Sequence, residues 1–136
     1  TCDAAHAKVD EIRTDMKTIE AAITEKKTLR DNVLNYYKTK YVVDGLKACK
    51  NEKARQKYRD EHESDFIILN AAKRYFDSKG LKKLPSYKTL QAEVEQLIKE
   101  KNALYNQYQS TGEEARRLDT IRHNIDVYEK YGITDW

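Results

Sequence analysis

The sequence predicts an all-α fold: a long antiparallel coiled-coil hairpin with a small helical cap at its tip. Three observations carry this. The 136 residues include only four glycines and one proline, so there are few places to break a helix. Charged residues make up 36% and the apolar class only 39%, with ten tyrosines counted in it. That supply cannot fill a globule, but it suffices where each helix needs a single apolar stripe. Finally, apolar residues in both terminal thirds recur at alternating steps of three and four, the spacing of a helical seam.

The first long helix is expected over residues 1–40, from about Asp3 to Thr39. Its seam runs through Val9, Ile12, Met16, Ile19 and Ile23. The next seam positions are Lys26 and Arg30, which break the pattern, and the stripe resumes at Leu29, Val33, Tyr36 and Tyr37 as a stutter would make it. Residues 41–85 form the cap, in three short helices: Tyr41–Cys49, Asn51–His62 with Asn51 as N-cap, and Ser64–Lys79. Phe66, Ile67, Leu69, Ala72, Tyr75 and Phe76 supply the cap's core. Gly80 ends the third helix in the left-handed position, Leu81 and Leu84 pack down, Pro85 holds Leu84 extended, and Ser86 opens the last helix.

The second long helix spans 86–131. Its seam reads Leu90, Val94, Leu97, Lys101, Leu104 and Tyr108, then Ala115, Leu118, Ile121, Ile125 and Tyr128. Folded back on the first helix, the expected register sets Tyr36 near Leu90, Ile12 near Ala115 and Val9 near Leu118. Gly112 then falls opposite Met16, as a kink or a point of close helix approach. The chain begins at Thr1 and reads as a fragment of a larger protein, one single helical domain within it.

Net charge is +3, from 26 basic and 23 acidic residues, too balanced to mark a nucleic-acid binder by itself. The surplus is local. Residues 41–85 carry eleven basic and seven acidic groups, whereas residues 86–136 carry seven and nine. No apolar run approaches the ~20 residues of a membrane span. Two cysteines without metal-type spacing, Cys2 and Cys49, suit a reducing, cytoplasmic setting.

Lys73, Arg74, Lys79, Lys82, Lys83 and Lys88 face only Asp77 within sixteen residues. Cations at a helix end complement its dipole, which accounts for Lys79. All six are nonetheless the candidate nucleic-acid-binding residues: clustered cations for phosphates, with Tyr75 and Tyr87 at hand for stacking. No catalytic residue, metal site or cofactor is expected. The histidines (His6, His62, His123) read as isolated, the tyrosines as packing residues, and no phosphate loop or nucleophile motif occurs.

Three stretches resemble a known family: "LRDNVLNYYKTKYVVDGLK" (29–47), "YRDEHESDFIILNAAKRYFDSKGLKKLPSYKTLQAEVEQLIKEKNALYNQY" (58–108) and "DTIRHNIDVY" (119–128). They are similar to the C-terminal helical region of relaxase/mobilisation nucleases of the MobA type, carried by conjugative elements of Gram-positive bacteria. "KKLPSYKTLQAE" and "EHESD" are the specific core. The resemblance implies a setting of DNA mobilisation in the bacterial cytoplasm, downstream of a nuclease module whose histidine motif this chain lacks. The expected function is therefore non-catalytic assistance to DNA processing, with single-stranded or origin-of-transfer DNA as partner. The alternative is an interaction scaffold that dimerises, or docks on transfer machinery, through the coiled coil.

Overall fold

A computed structural model of the chain describes residues 1–131. Among these the fold is all-helical: α1 (Cys2–Thr39), α2 (Tyr41–Lys47), α3 (Glu52–Glu61), α4 (Glu63–Ser78) and α5 (Tyr87–Tyr131). Among the described residues no helix is long and apolar enough to cross a membrane. The chain divides into two compact units, one from Thr1–Ile23 with the part of α5 from Glu95 onward, the other from Thr24–Val94. Thus α1 and α5 each contribute to both.

In the first unit α1 and α5 run antiparallel, since partners on α5 descend as α1 ascends. Cys2 meets Asp119, Arg13 reaches the Tyr108 hydroxyl at 3.2 Å, and Glu20 pairs with Lys101 at 3.5 Å. This register differs from the expected one by about one and a half turns. Gly112 accordingly shares a cleft with His6, Val9 and Arg13 and not with Met16. Nor is it a site of close approach. A β-carbon there would meet only the Arg116 guanidinium at 3.6 Å, and α5 continues through the glycine as helix. Ile12 and Ala115 are buried, while Ile121 and Ile125, beyond the level of Asp119, stay 47% and 42% exposed.

In the second unit the core joins Val33 of α1, Ala72 and Phe76 of α4, and Leu90 of α5, with Leu29, Tyr36, Tyr75, Leu81 and Leu84 packed around them. The stutter expected at Lys26 and Arg30 does not arise. Both residues occupy the seam, half-buried, between Ile23 and Val33. Their aliphatic stems cover apolar surface and their heads reach polar partners on α5: Lys26 Nζ lies 2.9 Å from Glu93, and Arg30 Nη1 donates to Gln91 at 2.8 Å.

The cap signals act as expected. The Asn51 side chain accepts from the Ala54 amide at 2.8 Å, opening α3. Gly80 takes φ +64°, and the amides of Leu81 and Gly80 bond to the carbonyls of Phe76 and Asp77 at 3.1 Å each. This is the paired closure that ends a helix at a left-handed glycine. It swings Leu81 and Leu84 onto the core and leaves the lysines between them in solvent.

Candidate functional site

The six basic residues singled out in the sequence are all exposed, and all lie in the second unit. Lys73 and Arg74 sit on α4, Lys79 at its end, Lys82 and Lys83 in the connection, and Lys88 in the first turn of α5. None of the six has a carboxylate within 4.0 Å among the described residues. Elsewhere in the same unit Lys26, Arg30, Arg55, Lys57 and Arg59 each have one. Lys79 instead lies 5.8 Å from the centre of the Tyr75 ring.

The six do not form one face. At about 100° per residue, Lys73 and Lys79 fall about 60° to either side of the buried Phe76, and Arg74 points almost directly away from it. Lys73 lines a hollow of about 230 Å³ with Tyr36, Lys40 and Asp44. The remaining group, Lys79, Lys82, Lys83 and Lys88, falls within ten residues around the α4–α5 connection.

His62, within the "EHESD" stretch, has a structural role. Its ring stacks on Tyr58 at 4.1 Å, its Nδ1 lies 2.9 Å from the Tyr58 carbonyl, and its amide closes the end of α3. Tyr41 and Phe66 meet this pair edge-on, and the Tyr41 hydroxyl donates to Asp65. That bond holds the Tyr41 hydroxyl above its usual pKa.

His6 does not stand alone. In the first unit Asp119 takes a hydrogen bond from the Cys2 thiol at 2.8 Å, and His6 Nε2 lies 2.9 and 3.0 Å from its two oxygens. The hydrogen bond to Asp119 pushes the Cys2 thiol up, so it is held protonated and is no activated nucleophile. The same bond, then the one to His6, holds the Asp119 carboxyl below the usual carboxylate range. Sulfur, imidazole and carboxylate donors all lie within 4.8 Å of one another. Two of the three were visible in sequence, since Cys2 and His6 are four apart on one helical face. Asp119 was not, because only the register of α5 brings it there.

His6 also lines the cleft at Gly112, a space of about 390 Å³ bounded by Arg13, Tyr105, Tyr108 and Arg116. No family model, curated protein or solved structure matches the chain.

Proposed function

We propose that this chain is a non-catalytic accessory domain of a conjugative relaxase that assists DNA processing through contacts to the phosphate backbone. The observation that carries the reading is the group of exposed lysines around the α4–α5 connection, Lys79, Lys82, Lys83 and Lys88, which have no carboxylate partner among the described residues. An exposed cation already paired must give up its partner to bind phosphate, and these have none to give up. Each contact is a point charge that positions DNA without reading bases. The setting, a bacterial cytoplasmic DNA-transfer protein, rests on the resemblance of "KKLPSYKTLQAE" and "EHESD" to the relaxase C-terminal region. In this reading α1 and α5 form a coiled-coil hairpin, and α2–α4 cap it.

The test is fluorescence anisotropy of labelled single- and double-stranded oligonucleotides, including origin-of-transfer DNA, at two salt concentrations. Binding that weakens steeply with salt and is lost in Lys82→Glu/Lys83→Glu supports the reading. Affinity and salt slope unchanged in that variant overturn it.

A second reading has its own observation. Ile121 and Ile125 are exposed one turn apart on α5, an apolar stripe suited to a protein partner or a second copy. Light scattering distinguishes it: a dimer that Ile121→Glu/Ile125→Glu dissociates supports a scaffold, whereas a monomer restricts the stripe to other partners.

A further inference from the structure

We propose that Cys2, His6 and Asp119 form a binding site for a borderline divalent transition-metal ion of the Zn²⁺ class, with three protein ligands. The donors come from facing helices, two from one turn of α1 and one from α5, so the ion would tie them together. Their chemistry, one thiolate, one imidazole and one carboxylate, is the mixed set that such ions take and that Mg²⁺ and Ca²⁺ do not.

The geometry is close to what the ion needs. A tetrahedral ion with bonds of about 2.0–2.3 Å sets its donors about 3.3–3.6 Å apart. Here the thiol and imidazole lie 2.8 and 2.9 Å from the same carboxylate oxygen. The two pairs that include the carboxylate need open only by a fraction of an ångström to about 1 Å, and the three donors already lie within 4.8 Å of one another. His6 and Asp119 side chains are 50% and 48% exposed, which leaves them free to turn and lets an ion reach them, while Cys2 is buried behind them.

A hydrogen-bonded trio by itself would not need sulfur. Serine at position 2 would donate a stronger hydrogen bond to Asp119 than a thiol does. The proton balance on binding is simple. The Cys2 thiol proton leaves to solvent, and His6 takes the tautomer with its proton on Nδ1, leaving Nε2 for the metal. Thiolate, carboxylate and a divalent ion then sum to zero charge, and a water completes four-coordination. The inference is independent of the DNA-contact reading, because the site lies in the other unit.

The experiment titrates the reduced chain with Co²⁺ alone, followed by absorption, then displaces it with Zn²⁺. The expected result is one equivalent of Co²⁺ with a thiolate-to-cobalt charge-transfer band and the intense d–d bands of tetrahedral coordination. Cys2→Ser removes the band and Cys49→Ser keeps it. Asp119→Asn, which keeps a hydrogen-bonding side chain, and His6→Gln each weaken binding at least about tenfold, by analogy with losses at known metal sites. No charge-transfer band at saturating Co²⁺ overturns the proposal, as does a band that survives Cys2→Ser and is lost in Cys49→Ser. Far-UV circular dichroism of each variant verifies that α1 and α5 remain helical.

Discussion

The hydroxyl end of the Tyr58 ring lies directly against Gly45. A β-carbon at Gly45 would overlap the Tyr58 hydroxyl and Cζ and come within 2.9 Å of Cε2. The glycine sits in the middle of α2, where helix propensity alone would favour alanine by about 1 kcal/mol. A side chain has no room there because the hydroxyl end of Tyr58, from α3, fills the space, and that ring in turn stacks on His62 and meets Phe66 edge-on.

Gly45→Ala is therefore expected to destabilise the chain. Forcing the ring off its seat costs about 1–3 kcal/mol, typical of overpacking, against at most about 1 kcal/mol gained in propensity. Urea denaturation measures the difference. A double-mutant cycle with Tyr58→Ala should show the two changes strongly coupled, because the clash disappears with the ring. A Gly45→Ala variant more stable than the parent would remove the steric argument.

Gly112→Ala has the opposite expected sign. The glycine is helical, and an added methyl would make only an ordinary contact with Arg116 at 3.6 Å. The substitution should stabilise by about 0.5–1 kcal/mol, the helix-propensity difference. The same residue type in two helices thus gives two signs, decided by what stands opposite.

This contrast shows where the sequence was legible. Helix ends could be read because their signals are local: Asn51 and Gly80 act on amides within a few residues. The seam was misread at Lys26 and Arg30, since residue class hides the apolar stem that fills the position. Gly45 could not be read because its partner lies thirteen residues away, across a turn. The Cys2–His6–Asp119 group was missed for a related reason. The expected register put Val9 beside Leu118 and hence Cys2 beside Ile125, six residues past Asp119, whereas the structure sets Arg13 on Tyr108 and brings Asp119 level with Cys2. Heptad patterns fix which face is buried far better than how far one helix slides along another, because a slide by whole heptads preserves the stripe.

The acid side of the stability profile has an identifiable contributor. The Glu52 carboxylate takes a hydrogen bond from Arg55 Nε at 3.0 Å and another from Arg59 Nη1 at 3.2 Å, and these hold its pKa below the ordinary carboxylate value. With the folded pKa below the unfolded one, its stabilisation is present above the unfolded value and is lost as pH falls through the folded one. Glu52→Gln should reduce stability at neutral pH slightly and make the acid limb of the denaturation profile shallower. Equal slopes in parent and variant would count against it. The effect is small because all three side chains are solvated.

Helical geometry on α4 sends Arg74 away from the core, while Lys82, Lys83 and Lys88 lie on or beside the connection that Gly80 turns outward. A DNA backbone meeting that connection would engage these three lysines in common and miss Arg74. Removing one phosphate-binding cation should lower the slope of log K against log salt by about 0.9 on duplex or about 0.7 on single strands. Lys82→Gln/Lys83→Gln is therefore expected to reduce the slope by about 1.8 on duplex, and adding Lys88→Gln should reduce it further. Arg74→Gln should leave it unchanged. An equal reduction at all four positions would mean a diffuse charge effect, because a single binding surface at the turn requires Arg74 to differ from the others.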